Sequence, residues 1–387
     1  MRTAADKIQD LLDYLGESSQ GSTLRSCKRA ILEALRLLGS ICFWSYYYAN
    51  SRLVTSASYG TGTIAFDLTG GAYERLVTLT TGTWPTWAAH GWLVIDSVGY
   101  EVAERISATE LTLESFSRPE ADVAAGKTYK IYRHHYALPA DFKSGADFTL
   151  VAKNNPLTYL SPKEWHFYLA RQPDNTGQPY FYTILGEGDI LGSLGGMAAA
   201  FYPQPDAAYE VDFIYQRRPR ALATFEYKTG TISATANSAV ITGSGTTFTS
   251  GMVGSLLRAG ADANNYPTDL DGSYPHQLES QIAGYTSATS LRLYSAAPLT
   301  LTGVKYIISD AIDIEPGVMQ NVFDRACEKQ LSELRRLKNA PEANQRFMQE
   351  LEIARAADAR TFHSRQVGWG RPGRLRLRNM PLGSDVS

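Results

Sequence analysis

Cysteine is scarce in this sequence, with three residues among 387. Cys27, Cys42 and Cys327 lie far apart, are odd in number and lack the CxxC spacing that a metal site or a redox pair needs. The pattern therefore argues against both kinds of chemistry. It predicts three small, buried, apolar side chains instead.

Long apolar runs are missing as well. The best candidate for a membrane span, residues 30–49, contains Glu33 and Arg36 and ends in tyrosines, so it falls short of the ~20 apolar residues that cross a bilayer. Residues 1–12 carry charged side chains and lack the uninterrupted apolar core of a secretion signal. We therefore expect no membrane segment and synthesis in the cytoplasm.

Neither sign of charge is in excess. Charged residues make up 20% of the chain and hydrophobic residues 44%, and the net charge is −2. This balance predicts a folded protein without a general attraction to nucleic acid. Because a single core stops growing at roughly 250–300 residues, the length predicts more than one domain.

Motifs for catalysis and metal binding are few. His134 and His135 lack HExxH spacing and follow a predicted strand, so we interpret them as strand-end or interface histidines rather than metal ligands. Two glycine clusters, at 186–188 and 192–196, lack the lysine and hydroxyl residue of a phosphate loop and contain no GxSxG elbow. We expect flexible loops there.

One loop collects oxygen ligands that calcium could use, namely Asp262, Asn264, Asp269 and Asp271. It also contains Pro267 and lacks the final glutamate of an EF-hand loop, so a solvated insertion is favoured over a metal site. A pair of carboxylates two residues apart on a loop does not indicate the facing geometry of a glycosidase, with a separation of about 5–9 Å. The sequence therefore predicts no cofactor, no metal and no enzymatic activity.

Tyrosine and glycine are abundant, at 23 and 32 residues, which favours a β-rich protein with polar contact surface. A repeat supports this interpretation. Four ordered anchors of one segment recur in a later segment: 61–64 matches 229–232, Gly82, Thr83 and Gly91 match Gly245, Thr246 and Gly254, 107–113 matches 287–293, and 126–131 matches 303–308. We expect two related modules near 59–133 and 227–309, each a barrel or sandwich of about five strands. The alternative is that threonine and glycine turns alone make two β segments look alike.

Helices are predicted at both ends of the chain. Thr3 and Gly16 bound a helix over 4–15, and a second amphipathic helix follows 24–38 with Gly39 as its stop. Ser161 and Pro162 start a short helix that reaches about residue 171. Near the C-terminus, Met319, Phe323, Cys327, Leu331 and Leu334 form one stripe, and Pro341 restarts a helix with Phe347, Leu351 and Ala354 inward.

These patterns predict an α+β protein with a helical bundle core from the N- and C-terminal helices, a central β region and two related β-barrel or β-sandwich insertions. The predicted segments are N-terminal helices at 1–45, a first β module at 46–136, a central mixed region at 137–222, a second β module at 223–312, C-terminal helices at 313–364 and a basic tail at 365–387. Within the central region, the alternation over 209–215 predicts a strand with one buried face.

The basic tail is the candidate functional segment. Its residues are Arg365, Trp369, Arg371, Arg374, Arg376 and Arg378, interrupted by glycine and proline. Arginines on such a segment can neutralise DNA phosphates or dock on carboxylates of a neighbouring subunit, and a merely solvated tail is a third possibility. The tryptophan favours docking, since large aromatic side chains anchor interfaces.

The layout resembles that of the bacteriophage head-to-tail adaptor family, the connectors similar to tail tubular protein A. The residues that carry the resemblance are Phe43 and Trp44 after the N-terminal helix, the β insertion with its Thr-Gly-Thr strand, 138–142 (Leu-Pro-Ala-Asp-Phe), 201–206 before the central strand, and 243–248. The resemblance covers most of the chain. The second copy of the module departs from the smaller adaptors and leaves its partner open.

The resemblance implies a homo-oligomeric ring, usually twelvefold, beneath the portal protein at the virion neck. Helices would form its core, and β modules would face tail or nozzle proteins. Double-stranded DNA would pass through the channel without sequence specificity, and the tail would reach the portal.

One alternative is a tail or fibre protein that presents Trp84, Trp87 and Trp92 to a host surface glycan. Another is a virion hydrolase using Asp269 and Asp271.

Overall fold

We describe the protein from a computed structural model, which covers residues 2–17, 21–153, 155–172, 175–186, 196–267 and 273–361. Within these ranges the fold is α+β. The five α-helices are α1 (Ala4–Leu15), α2 (Gly21–Ile41), α3 (Pro162–Arg171), α4 (Val318–Leu334) and α5 (Ala340–Thr361).

Strands dominate the rest of the described chain. In chain order they are β1 (Tyr48–Val54), β2 (Ile64–Asp67), β3 (Leu76–Leu79), β4 (Trp92–Ile95), β5 (Val98–Arg105), β6 (Glu110–Leu113), β7 (Val123–Lys127), β8 (Lys130–Tyr132), β9 (Tyr136–Ala137), β10 (Phe142–Leu150), β11 (Asn155–Pro156), β12 (Thr158–Tyr159), β13 (Thr176–Gly177), β14 (Phe181–Leu185), β15 (Ala198–Tyr202), β16 (Gln204–Pro205), β17 (Glu210–Arg217), β18 (Thr231–Ala234), β19 (Val240–Ser244), β20 (Leu256–Ala259), β21 (Leu278–Ser287), β22 (Ser290–Leu293), β23 (Leu301–Val304) and β24 (Tyr306–Ser309).

The chain divides into two compact units. One is built from Met1–Tyr47 together with the described residues from Arg218 to Thr361, and the other from Tyr48–Arg217. The N-terminal helices, the second β module and the C-terminal helices therefore belong to one unit. The first β module and the central region belong to the other.

The first helix has the bounds that its end signals predict. The Thr3 hydroxyl accepts a hydrogen bond from the Asp6 amide, and the Asp6 carboxylate accepts one from the Thr3 amide, so both groups of a capping box are in place. At the other end, Gly16 takes the left-handed conformation, with a φ of 63°, that a helix C-terminus favours.

The second helix does not stop at Gly39, as predicted, but continues to Ile41. Gly39 is buried, and a Cβ atom there would lie 3.0 Å from the ring of Pro219. The glycine therefore permits close packing against a distant loop. That requirement, rather than helix termination, accounts for it.

One hydrophobic cluster joins α1, α2, α4 and α5. Its largest side chains include Trp44, Phe323 and Phe347, each about 1% exposed. The positions predicted to point inward on the C-terminal helices are buried, apart from Leu334, which is half-buried. Full burial of a side chain of this size contributes roughly 2–3 kcal/mol, so this cluster is a major source of stability for its unit.

The two β modules have the same topology. The first is a seven-stranded sheet of order β7-β2-β3-β6-β5-β4-β8, and the second has the order β23-β18-β19-β22-β21-β20-β24. Each is a half-barrel of seven strands, so the expected count of about five was too low. The additional strands are short, and β8 has only three residues, too few to form an alternating pattern in the sequence.

Hydrogen bonds fix which residues of the two modules correspond. The amide of Thr83 donates to the hydroxyl of Tyr59, and the amide of Thr247 donates to that of Tyr227. Thr83 therefore corresponds to Thr247. The predicted match to Thr246 was wrong by one residue, because Gly245 and Gly254 keep the spacing of Gly82 and Gly91 but lie one residue earlier relative to the hydrogen-bonded positions.

The central region contains two further sheets, of order β1-β17-β10-β11 and β12-β14-β15-β9. As the alternation predicts, β17 buries Val211, Phe213 and Tyr215. Helix α3 begins at Pro162 behind a capping box of Ser161 and Glu164, again as predicted.

Candidate functional site

The predicted tail lies outside the described residues. This applies to all six of its candidate residues, Arg365, Trp369, Arg371, Arg374, Arg376 and Arg378. Asp269, Asp271 and most of the two glycine clusters also lie outside them. Their roles stay predictions.

The candidate cation loop is described only up to Pro267. There the Asp262 carboxylate accepts hydrogen bonds from the amides of Asn264 at 2.8 Å and Asn265 at 2.7 Å. These bonds lower the pKa of Asp262. The carboxylate therefore stabilises its own turn.

The tryptophans considered for glycan binding do not form an exposed platform. Trp84 is only 1% exposed and packs edge-on against Tyr129, with ring centroids 5.1 Å apart. Trp87 is half-buried against the same core. This finding corrects the prediction for Trp84, which fills the centre of the first module because a large apolar ring gains more from burial than from exposure.

The three cysteines also depart from the prediction in one case. Cys27 and Cys327 are buried, and burial raises the pKa of both thiols. Cys42 is half-buried, and its Sγ accepts a hydrogen bond from Arg355 Nε at 2.8 Å. Cys42 follows the last residue of α2, so it lies beyond the apolar periodicity that predicts burial.

A cavity of about 620 Å³ lies between the first module and α3. Strand β4 supplies Trp92, α3 supplies Trp165 and His166, and the segment after β8 supplies His134 and His135. The volume is in the range of ligand sites. Sequence analysis missed this cavity, because its residues are far apart along the chain and no local spacing joins them.

Glycine positions the main indole of this cavity. A Cβ atom at Gly99 would overlap the Trp92 ring, so only glycine lets that ring lie against strand β5. Trp92 then stacks on His134, with centroids 5.2 Å apart and planes at 15°. The Trp165 ring contacts the same imidazole edge-on, with centroids 6.0 Å apart and planes at 84°.

The electrostatics of this site favour a neutral imidazole. Burial, and secondarily the charge of His135, lowers the pKa of His134 to about 3. Within the described part of the chain, Trp92 Nε1, His134 Nε2 and Trp165 Nε1 have no hydrogen-bond partner. His134 is thus uncharged at neutral pH and contributes packing between the module and α3.

A charged cluster lies in the other unit, around a cavity of about 380 Å³. The buried Lys7 ammonium lies 2.7 Å from Asp324 and 3.7 Å from Asp10, and Arg2 bridges the same two carboxylates. Burial raises the pKa of Asp10. The ion pairs connect α1 to α4, which indicates a structural role.

Asp310 is a second buried charge that the sequence did not indicate. It is 0% exposed and accepts hydrogen bonds from the amides of Ala223 and Thr224 and from the Ser255 hydroxyl. Arg220 lies 3.6 Å away. These contacts tie the end of β24 to the segment that enters the second module and to the residue before β20.

Neither metal chemistry nor a membrane span is found in the described ranges. No group of three or more His, Cys, Asp or Glu side chains there is arranged to hold a metal ion. None of the helices described above is long and apolar enough to cross a bilayer.

Comparison with known proteins gives one finding. No curated protein matches the chain. Residues 76–235, less than half of the chain, match the family model described as SU10 adaptor protein. This segment runs from β3 of the first module to β18 of the second and includes the whole central region. The match supports the resemblance to phage adaptor proteins.

Proposed function

We propose that this chain is a structural protein of the phage virion that forms a ring at the portal vertex, joins head to tail and leaves a channel for double-stranded DNA. The observation that carries the proposal is the match of residues 76–235 to the SU10 adaptor protein family. The resemblance of the sequence layout to the connectors similar to tail tubular protein A extends the proposal to a position in the neck of the virion and to a role without enzymatic activity.

The fold suits such a role. The helices that share one hydrophobic cluster would form the bundle at the core of each subunit. The two half-barrels present extensive sheet surface, which suits contacts with tail or nozzle proteins. Buried polar residues such as Lys7 and Asp310 have partners within the fold, which suits a structural role.

A ring of identical subunits needs two different contact surfaces on each copy. Several large aromatic side chains are exposed: Phe43, Phe116, Phe167 and Tyr294 are 62–78% exposed. Aromatic residues are enriched at interfaces, because they bury much area for little side-chain entropy. We place some of these residues in subunit or partner contacts.

The basic tail completes the proposal. Arg365, Trp369, Arg371, Arg374, Arg376 and Arg378 would dock on the portal protein or contact passing DNA. A planar guanidinium can form two parallel hydrogen bonds to a carboxylate or a phosphate, which suits either partner.

Negative-stain electron microscopy of the purified chain, alone and mixed with portal protein, tests the proposal. We expect rings, usually twelvefold, that bind the portal. A control that lacks residues 365–387 should form the same ring but bind the portal less tightly if the tail docks there. A monomeric mass in the presence of portal, together with absence of the chain from purified virions, would refute the proposal.

A further inference from the structure

Helix α2 has a charged face opposite its buried face. Its buried residues are Thr23, Cys27, Ala30, Ile31, Ala34, Leu35, Leu38 and Gly39. At 3.6 residues per turn these positions form one face, and Arg25, Arg29 and Arg36 fall together on the opposite face. All three arginines are exposed. We call these three residues the α2 basic face.

The face is more basic than its surroundings. Helix α2 carries four basic residues and one acidic residue, whereas α1 carries three acidic residues and one basic residue. The chain as a whole has a net charge of −2. Helix α2 is therefore net basic in a chain that is net acidic.

Contacts within the chain do not explain these arginines. Among the residues that the structure describes, Arg25 and Arg29 have no salt-bridge partner, and Arg36 has only an exposed one to Glu33 at 3.5 Å. Lys28, at the margin of the face, lies over the Phe225 ring at 5.3 Å. An exposed pair of this kind is worth little, so the charges remain available to a partner.

Helix electrostatics do not explain them either. Arg25 and Arg29 lie in the first half of α2, and the positive end of the helix dipole is at the N-terminus. Basic residues at the C-terminal end would stabilise the helix, whereas its first turns favour acidic ones. Arg25, close to the N-terminus, therefore gains no stabilisation from the helix dipole.

The spacing of the face fits a phosphate backbone. At a rise of about 1.5 Å per residue, Arg25 and Arg36 are about 16 Å apart along the axis. One strand of duplex DNA has a phosphate about every 3.4 Å of its axis, so this length of duplex contains about five. Because the strand winds around the axis, only some of these phosphates would face the three arginines. Long, solvated arginine side chains can follow such a row without reading its sequence.

The face lacks what a protein partner needs. Its outward neighbours include Ser22, Ser26 and Ser40, and it has no exposed aromatic residue. A protein interface would need an apolar centre beside its charges. We infer that the α2 basic face binds the phosphate backbone of double-stranded DNA, an inference that deepens the proposed channel function and rests on it for its role in the virion.

Fluorescence anisotropy with a labelled duplex of random sequence tests the inference on the full chain. The variant combines Arg25→Gln, Arg29→Gln and Arg36→Gln. Because each phosphate contact contributes about 0.9 to the slope of log K against log salt, we expect the magnitude of the slope to fall by about 2.7. Affinity at low salt should fall at least tenfold.

Two matched variants serve as controls. Lys163→Gln, Arg171→Gln and Arg292→Gln remove three exposed charges elsewhere and should leave both quantities unchanged. Replacing the three arginines of the face by lysine should retain most of the binding, because the charge is kept. Circular dichroism checks that every variant is folded.

An unchanged affinity and salt slope in the folded glutamine variant would overturn the inference. Equal or tighter binding of the wild-type face to poly-glutamate would also overturn it, since an acidic protein would then be the partner. The mass of the same samples by light scattering separates the two claims. If the chain binds DNA through these arginines but never forms a ring, the proposed function alone is refuted. If it forms a ring without such binding, only this inference is refuted.

Discussion

Replacement of Asp310 by alanine should destabilise the unit that contains the helices and the second module. The carboxylate is fully buried and accepts from two amides, at 2.6 Å from Ala223 and 2.7 Å from Thr224. A buried donor left without a partner costs about 1–3 kcal/mol. Two such donors, with the nearby Arg220 guanidinium also losing its carboxylate, give an expected loss of about 4 kcal/mol.

Differential scanning calorimetry measures this loss. For a unit of this size, 1 kcal/mol corresponds to roughly 2–4 °C, so the unfolding temperature of that unit should fall by roughly 8–16 °C. Asp310→Asn keeps one oxygen acceptor, so its unfolding temperature should fall less than that of Asp310→Ala.

The control is Asp262→Ala. Asp262 also accepts from two amides, those of Asn264 and Asn265, but it lies in a solvent-facing loop, where water can replace the lost acceptor. We expect a much smaller change. If the two alanine variants unfold at the same temperature, burial is not what makes the Asp310 network important, and the reasoning fails.

Two further predictions concern packing and pH. Gly39→Val should lower the stability of the helical unit by about 1–3 kcal/mol in urea unfolding, because the added side chain meets Pro219, whereas Gly21→Ala in the same helix has open space and should be tolerated. An unfolded imidazole takes up a proton below about pH 6.5, but folded His134 does so only near pH 3, so stability falls as pH drops through this window. The slope of stability against pH should be about 1.4 kcal/mol per pH unit steeper in wild type than in His134→Gln. Equal slopes in the two proteins would contradict the explanation.

The sequence predicted best those features that depend on near neighbours. Thr3 with Asp6, and Ser161 with Glu164, cap their own helices through contacts three residues apart, so the bounds of α1 and the start of α3 could be predicted. The prediction that Gly39 ends α2 failed because this glycine permits close packing against Pro219, which is distant in the chain.

The cavity shows the same limit. Trp92, His134 and Trp165 come together only through tertiary packing, and Gly99, which makes room for the indole, resembles any turn glycine in the sequence. The repeat was detectable because its anchors shape each module locally. The register of the repeat was not detectable, because a shift of one residue at a turn changes which residues correspond but leaves the spacing of the glycines unchanged.

Equivalent positions of the two modules carry different side chains. Tyr59 pairs with Ile131 as Tyr227 pairs with Ile308, so the residue two positions after each isoleucine is Arg133 in one copy and Asp310 in the other. The guanidinium lies over the Tyr136 ring at 4.5 Å, whereas the carboxylate collects amide donors. Residues of opposite charge type therefore occupy one equivalent position, just after the last strand of each module. A chimera in which the two modules are exchanged would place Arg133 beside the amide donors of Asp310 and Asp310 beside the Tyr136 ring. The two modules therefore cannot replace each other although they share one topology.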